Sequence, residues 1–250
     1  MKWGLLNSSG HRARRVSLPL DDESAWAETI AEWGLDSQTA WAISTVNPPA
    51  ASRLEDRLRE TGAYLPKWYR SAIDVPMGHD TNRPSGAGAD RAMAVLAAKE
   101  LLTAGIPAIV ISCGTAITIE RITADGVWDG GAIAAGLDMT ARALNNQTAQ
   151  LPRVETRDAP HAWGNSTETA LAAGVFWGTV GTVRELVARQ EFPGSRTLLW
   201  TGGSADVLAR AVEGSNARVV PDLMLAGVAF AAFGVSACVF LGPLPSNRSV

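Results

Sequence analysis

Apolar and polar positions follow two different periods along this chain, which predict helices and strands in turn. Residues 92–104 are nearly all helix-forming and apolar on every side, which is typical of a buried helix, and Gly105 predicts its end. Residues 109–111 form a continuous apolar run, and residues 117–120 then alternate between apolar and polar side chains. We therefore expect a central buried strand, a tight turn and a second strand directly after the helix.

The N-terminal part shows the same mixture of periods. Side chains between Asp21 and Ser24 can cap a helix that Gly34 closes, and Gly62 stops a second, charged helix. The loop at residues 77–88 has no apolar periodicity, and loops of this kind often carry function. Strands are predicted at residues 1–6, 15–18, 39–46 and 72–75, and helices at residues 25–33 and 52–61.

The C-terminal part continues the alternation. Asp125-Gly126 predicts a type I′ hairpin turn, and the glycines at 174, 178 and 181 allow close helix packing. The chain as a whole predicts two α/β halves, residues 1–105 and 106–250. Further helices are expected at residues 137–144, from 167, after Ser204 and after Pro221-Asp222, and strands at residues 196–200 and 219–220.

Composition narrows the class of protein. The chain has 250 residues, 46% of them hydrophobic, which is enough for a full core. A net charge of −3 without a long basic run argues against nucleic acid as a primary partner. The two cysteines make neither a disulfide framework nor a metal-binding pattern. No signal-peptide core is present, and the apolar run at residues 223–241 predicts a buried helix rather than a membrane span, so we expect a cytoplasmic protein.

Two short motifs carry candidate chemistry. Gly88 lets the backbone approach a ligand closely, and Asp90 and Arg91 follow in the first turn of the predicted helix, where free N–H groups favour an anion. Gly114 and Thr115 form a turn whose N–H groups could hold a phosphate. Taken alone, these residues are explained at least as well by a helix cap, a surface ion pair and an ordinary hairpin turn.

The order of the motifs resembles a known family. G-A-D-R at 88–91, followed by I-V-I-S-C-G-T-A-I-T-I-E at 109–120, resembles the type III pantothenate kinases of the actin-like, sugar-kinase superfamily. This resemblance implies an α/β fold of two ribonuclease-H-like (actin-like ATPase) halves with a cleft between them. Later segments that agree with the family in the same order lie at residues 130–139, 148–152, 164–167, 200–203 and 221–227.

The resemblance also implies a reaction: phosphorylation of pantothenate by ATP to 4′-phosphopantothenate, the first step of coenzyme A biosynthesis. It implies Mg²⁺, a monovalent cation (K⁺ or NH₄⁺) and a homodimer. Asp90 would accept the proton of the pantothenate hydroxyl. The other residues that the resemblance assigns are Gly88, Ala89, Arg91 and Thr167 for pantothenate, and Gly114, Thr115, Gly202 and Gly203 for ATP.

Three positions depart from the family pattern. Ser112 stands where the family has an aspartate beside the monovalent cation and the phosphates. Thr81 stands where the family has a tyrosine against the substrate. The chain also begins with Met1 where the family's phosphate loop, D-x-G-N-(T/S), has just ended, so we expect a misassigned start and a truncated first strand.

These departures leave alternatives open. A catalytically impaired or regulatory homologue that keeps the fold would explain Ser112 and the absent loop. A kinase of the same superfamily acting on another small hydroxylated acid would explain Thr81. The intact G-A-D-R, G-T-A and G-N-S-T motifs favour the pantothenate kinase.

Overall fold

The computed structural model of this chain describes residues 1–62, 65–77, 86–192 and 194–242. The chain divides into two compact units. The first unit contains Met1–Leu101 and the C-terminal segment that begins at Leu223, and the second contains Leu102–Asp222. Strands and helices occur in both, which confirms the predicted α/β class.

The N-terminal part of the first unit contains, in chain order, β1 (Lys2–Leu6), β2 (Arg12–Ser17), α1 (Glu23–Trp33), β3 (Ala42–Ser44), α2 (Pro48–Glu60), β4 (Lys67–Tyr69) and α3 (Ala89–Lys99). Within the described ranges, β1 pairs with β2 in an antiparallel ladder, and β3 pairs with β4 in a parallel one. The predicted strand at the N-terminus is therefore confirmed.

Aromatic residues form the core beneath these strands. Trp3 and Trp26 are buried together with Leu54 and Leu58 of α2. The indole N–H of Trp26 donates to the carbonyl oxygen of Pro19 at 2.8 Å, which satisfies its one polar atom. Trp3 also meets Trp41 edge to face, with ring centroids 5.5 Å apart. Burial of these large side chains explains why α1 and α2 pack on the β1–β2 pair.

Capping residues set the ends of α1 and α2. The Asp22 carboxylate accepts the backbone N–H of Ala25, and Gly34 closes α1 at φ +64°, as predicted. α2 begins at Pro48, four residues before the predicted start. The Asn47 side chain accepts the N–H of Ala50 there, and prolines fit the first turn of a helix, so the polar Asn-Pro-Pro segment starts the helix.

Two predicted elements are wrong. Residues 72–75 do not form a strand, because the Asp74 carboxylate accepts the N–H groups of Arg70 and Ser71 at 2.8 and 2.9 Å and folds Ala72–Asp74 into a 3₁₀ turn. α3 ends at Lys99 rather than near Gly105. The N–H of Leu101 bonds to the carbonyl of Ala98, three residues back, which tightens the last turn and closes the helix early.

The second unit contains β5 (Ala108–Cys113), β6 (Ala116–Ile122), β7 (Trp128–Ala135), α4 (Leu137–Gln147), α5 (Thr167–Ala188), β8 (Thr197–Thr201) and α6 (Ala205–Glu213). Its strands form one sheet in the order β7-β6-β5-β8. β5 runs parallel to β8, and the other neighbours are antiparallel. The carboxyl ends of β5 and β8 therefore lie side by side.

The hairpin between β6 and β7 is wider than predicted. The N–H of Gly126 donates to the carbonyl of Thr123 at 3.0 Å, so Ala124 and Asp125 occupy the central positions of the turn. Gly126 follows at φ +80°, a conformation that favours glycine. Asp125-Gly126 is thus a turn signal, as predicted, but the turn is not the predicted type I′.

One face of this sheet carries the core of the second unit. Residues of β5 and β6 on that face pack against α5 and α6, and all are nearly inaccessible to solvent. The alternation of side chains along a strand sends the intervening residues to the opposite face. The central members of the core cluster are Ile109, Ile111, Ile117, Ile119, Phe176, Val180, Val183, Trp200 and Leu208.

The C-terminal segment forms α7 (Leu223–Phe233) and α8 (Ala237–Leu241). A Cβ atom on Gly227 would lie 2.1 Å from the carbonyl oxygen of Met93, so α7 packs with its backbone against α3. This contact places the C-terminal helices in the first unit, whereas the sequence placed them with residues 106–250. In the described part of the chain, no helix has the length and apolar character needed to cross a membrane.

Candidate functional site

The G-A-D-R motif forms the start of α3. Gly88 is the N-cap residue and Ala89 is fully buried at the first helical position. A Cβ on Gly88 would lie 2.5 Å from Asp90 Oδ1 and 3.2 Å from Val46 Cγ1. Glycine at position 88 therefore makes room for the carboxylate of Asp90 as well as for any ligand.

The carboxylate of Asp90 is half-buried at this helix end. Its Oδ1 atom accepts the backbone N–H of Arg91 at 2.9 Å. Because Gly88 occupies the N-cap position, Asp90 is not the cap, although its local hydrogen bond also has a structural role. Arg91 is half-buried next to it, so one helix end presents a carboxylate and a guanidinium. Thr81, where a substrate-facing tyrosine was expected, lies outside the described residues.

A second set of motif residues meets at the carboxyl ends of β5 and β8. We call this set the glycine edge: Gly114, Thr115, Gly136, Gly202 and Gly203. Gly114 and Thr115 are exposed in the turn between β5 and β6. The N–H of Gly136 donates to the carbonyl of Thr115 at 3.0 Å. A Cβ on Gly136 would lie 2.2 Å from the carbonyl oxygen of Gly114, so the two backbone segments are in direct contact.

Gly202 joins the other turn to this edge. It has φ +102°, and a Cβ there would lie 2.4 Å from the carbonyl oxygen of Cys113. The N–H of Ser204 donates to that same carbonyl at 3.1 Å. Gly203, by contrast, faces open space, because no described atom apart from its chain neighbours lies within 4 Å of the point that its Cβ would occupy. Close packing at Gly202 thus leaves Gly203 exposed at this edge.

Two helices begin at the glycine edge. Gly136 is the N-cap residue of α4, and Ser204 is the N-cap residue of α6. Gly136 has no side chain and the Ser204 hydroxyl does not cap α6, so N–H groups of both first turns remain for an anion. The acidic residues of these turns are paired with arginines: Asp138 with Arg142 and Arg153, and Asp206 with Arg210. These ion pairs lower the repulsion that an incoming phosphate would meet.

Strand register adds hydroxyl groups to the glycine edge. Ser112 pairs directly with Thr118 on β6 and with Thr201 on β8. Directly paired residues project to the same face of a sheet, so the three form one row, which we call the hydroxyl row. Glu120 lies on the same face of β6 and is fully buried, and its carboxylate accepts the indole N–H of Trp128 at 3.0 Å.

Thr167 is the first residue of α5 and is exposed. The cap is the preceding residue, Ser166, whose hydroxyl accepts the N–H of Thr169 at 3.2 Å. A Cβ on Gly164 would lie 2.2 Å from the backbone nitrogen of Ala170, so the G-N-S-T motif folds tightly over the start of the helix. This arrangement leaves the Thr167 hydroxyl outside the cap.

The residues predicted from the motifs thus fall into separate groups. Gly88, Ala89, Asp90 and Arg91 share one helix end in the first unit, and Thr167 begins a helix in the second. The matched segment at 200–203 includes Thr201 and the one at 130–139 includes Gly136, but the sequence predicts no site role for Gly136 or for Thr118. The alternation of threonine with isoleucine in β6 is a signal for Thr118, but the pairing of Ser112 with both threonines follows only from the register. The predicted ATP residues Gly114, Thr115, Gly202 and Gly203 lie together in the second unit, and the predicted cation position, Ser112, lies beside them.

Cys113 connects the site to the core. Its backbone carbonyl anchors the Gly202–Ser204 turn, while its side chain is fully buried among apolar residues. Burial raises the pKa of the Cys113 thiol to about 12, because a thiolate would lose its hydration there. Cys238, the other cysteine, is exposed.

We expect a thiol reagent to modify one cysteine in the folded protein and two after unfolding, because only a thiolate reacts rapidly. Titration with a chromogenic disulfide measures the number of reactive thiols in the folded protein, in buffer, and in the unfolded protein, in guanidinium chloride. Cys238→Ser should abolish the reaction of the folded protein, and Cys113→Ser should leave it unchanged. Two fast thiols in the folded wild type would show that the β5 end opens to solvent.

The chain is similar to proteins of one family over most of its length. The family model for type III pantothenate kinase matches residues 1–189. The type III pantothenate kinase of Gluconobacter oxydans is 33% identical over 213 residues, covering 83% of this chain and 78% of the relative. The enzyme of the same name from Phenylobacterium zucineum is 38% identical over 213 residues, covering 83% of this chain and 82% of the relative.

A solved structure is also similar to this chain in its fold. A Sinorhizobium meliloti protein assigned as a 2-dehydro-3-deoxygalactonokinase superposes with a TM-score of 0.58. The superposition covers 94% of this chain and 95% of that protein, at 13% sequence identity. At this identity the similarity concerns the fold alone, and it agrees with the predicted α/β class.

Proposed function

This chain belongs to the type III pantothenate kinase family, and we propose that it transfers the γ-phosphoryl group of ATP to the hydroxyl group of pantothenate. The bond between the γ-phosphorus and the ADP oxygen breaks, and a bond to the pantothenate oxygen forms. The products are 4′-phosphopantothenate, ADP and one proton. We place this first step of coenzyme A biosynthesis in the cytoplasm, where ATP is available.

The observation that carries the proposal is the glycine edge. Phosphoryl transfer depends mainly on holding the phosphates and neutralising their charge. The turns at Gly114-Thr115 and Gly202-Gly203 expose Gly114, Thr115 and Gly203. Together with the first turns of α4 and α6 beside them, they offer N–H groups and a hydroxyl to phosphate oxygens. This donor set fits a triphosphate.

Mg²⁺ accompanies the nucleotide in this proposal. Mg²⁺ takes most of its ligands from phosphates and water and needs only one or two carboxylates from a protein. When bound, the ion neutralises charge on the β- and γ-phosphates.

The acceptor side is assigned to the start of α3. Asp90 accepts the proton that leaves the pantothenate hydroxyl. Arg91 has the planar fork of donors that suits the carboxylate of pantothenate. Gly88 and Ala89 line the substrate with backbone, and Thr167 offers its exposed hydroxyl. These four roles follow from the family motif together with the burial and position of each residue.

The direct test is turnover by the purified chain. ADP release is measured with ATP and Mg²⁺, with and without pantothenate, and phosphorus NMR identifies a phosphate monoester as product. We expect ADP release only with pantothenate. Pantothenol, which keeps the hydroxyl group but lacks the carboxylate, should react at least about tenfold less efficiently, because the partner of Arg91 is lost. Absence of turnover at saturating pantothenate would contradict the proposal.

We also propose a homodimer, built on one face of α5. Gly174, Gly178 and Gly181 are exposed, and no described residue outside the helix lies within 4 Å of a Cβ at these positions. Each helical glycine costs about 1 kcal/mol relative to alanine, so three on one free face need a compensating contact. A second copy of α5 packed against this face would provide it, because glycines let helix backbones approach closely.

Gly178→Leu should convert the dimer to a monomer, because the leucine side chain holds the two helices apart. Gly178→Ala is the matched variant: it improves helix propensity by about 1 kcal/mol and adds only one methyl group to the contact. Analytical ultracentrifugation gives the molar mass, and thermal unfolding gives the stability. A monomeric wild type, with both variants more stable than it, would show that the glycine face is free.

A further inference from the structure

The hydroxyl row occupies the position where the resemblance implies a carboxylate beside a monovalent cation. Ser112 is half-buried between Thr118 and Thr201, and Thr201 is 5% exposed. The residues that follow Ser112 and Thr201 lead directly into the two turns of the glycine edge. The three hydroxyls therefore lie at the end of the strands that the proposed phosphate site uses.

The chemistry of this row does not fit the implied cation. Neutral oxygens can hold K⁺ where many of them surround the ion, but a site with few ligands depends on charged ones, and its affinity rises with their number. Ser112, Thr118 and Thr201 supply oxygens without charge.

Glu120 does not restore the missing charge at this place. It follows Thr118 by two residues on the same face, so it is a diagonal neighbour of Ser112 rather than its direct partner. Its carboxylate is fully buried and accepts the indole N–H of Trp128, which also donates to the carbonyl of Gly130 at 3.0 Å. The hydrogen bond from Trp128 places the Oε2 atom of Glu120 towards β7, on the side of β6 away from β8.

Charge balance explains how the hydroxyl row could replace a carboxylate together with its bound monovalent cation. A carboxylate with a bound monovalent cation has a net charge of zero, and so has a serine hydroxyl. The phosphates would therefore meet the same net charge in both arrangements. In addition, a hydroxyl O–H can donate a hydrogen bond to a phosphate oxygen, which a carboxylate cannot do.

We propose that this chain binds ATP without a monovalent cation, and that the hydroxyl row takes the place of the carboxylate–cation pair. The inference rests on the proposed nucleotide site in the second unit. It predicts that K⁺ and NH₄⁺ have no specific effect on nucleotide affinity, in contrast to what the family resemblance implies.

Isothermal titration calorimetry of the full wild-type chain with Mg²⁺ and a non-hydrolysable ATP analogue tests this without turnover. The titration is made in KCl and in choline chloride at equal ionic strength. We expect dissociation constants that agree within about twofold. A value about tenfold or more lower in KCl would overturn the inference and leave the proposed function intact. Binding in neither salt would overturn the proposed nucleotide site and this inference with it.

Two variants of Ser112 test how a negative charge at this position alone affects nucleotide affinity. Ser112→Asp should bind the analogue at least about tenfold more weakly in choline chloride than Ser112→Asn, its neutral isostere, because an uncompensated carboxylate repels phosphate. KCl should restore the affinity of Ser112→Asp and leave Ser112→Asn unchanged. Equal affinities of the two variants in choline chloride would overturn the inference. Circular dichroism checks that both fold, and the wild-type comparison decides the question if either does not.

Discussion

Asp90→Asn should lower kcat for pantothenate phosphorylation by about 10²–10⁴-fold, the usual range for loss of a positioned general base. The amide has the size of the carboxylate, and its oxygen can still accept the N–H of Arg91, so the local geometry is kept. What is lost is the ability to accept a proton. The remaining structural cost is the favourable interaction of a negative charge with the start of α3, about 0.3–1 kcal/mol. The melting temperature should therefore fall by less than about 4 °C.

A matched variant separates the chemical role from capping. Asp22→Asn makes the same substitution at the N-cap of α1, where the carboxylate accepts the N–H of Ala25. Asparagine is nearly as good a cap as aspartate, so this variant should keep full turnover and nearly full stability. If Asp90→Asn retained turnover, or lost most of its stability together with turnover, Asp90 would be a structural residue of the helix end.

The sequence predicted those elements whose signals are local. Asp22 and Gly34 at the ends of α1 are such signals, and the structure confirms both. Residues 72–75 were misread as a strand because their apolar character suggested extension, while the competing signal was one carboxylate, that of Asp74, folding the chain back on itself. A prediction from the local sequence pattern fails where a single side-chain hydrogen bond decides the backbone conformation.

Long-range packing was the other source of error. Nothing within residues 223–241 indicates that Gly227 meets the backbone of Met93, yet this contact puts α7 in the first unit. The contacts within the glycine edge were likewise not predictable from local sequence. Gly114 and Gly202 were found as motif residues, but the reason for glycine at 202, the backbone of Cys113 beneath it, depends on the parallel pairing of β5 with β8. Register between distant strands is not encoded in any short motif.

Gly202→Ala should destabilise the second unit and weaken nucleotide binding together. A Cβ at this position would lie 2.4 Å from the carbonyl oxygen of Cys113 and 2.6 Å from its carbonyl carbon, and the residue has φ +102°, which side chains disfavour. Relief of this clash requires the β8 turn to move off β5, which breaks the bond from Ser204 N–H to Cys113. Backbone strain of this kind costs about 1–3 kcal/mol, before any loss of packing, so the melting temperature should fall by several degrees.

Gly203→Ala is the control, since the two glycines are adjacent and only Gly202 is in contact with β5. Apart from its chain neighbours, no described atom lies within 4 Å of a Cβ on Gly203. The free energy of unfolding of the Gly203→Ala protein should therefore differ from that of the wild type by less than about 0.5 kcal/mol. If Gly203 admits a phosphate close to its backbone, its alanine variant should still lose nucleotide affinity in calorimetry. If Gly203→Ala loses affinity but keeps its stability, Gly203 contacts the ligand. If Gly202→Ala loses both, Gly202 supports the turn. Equal stability of the two variants would show that Gly202 does not hold the turn on β5.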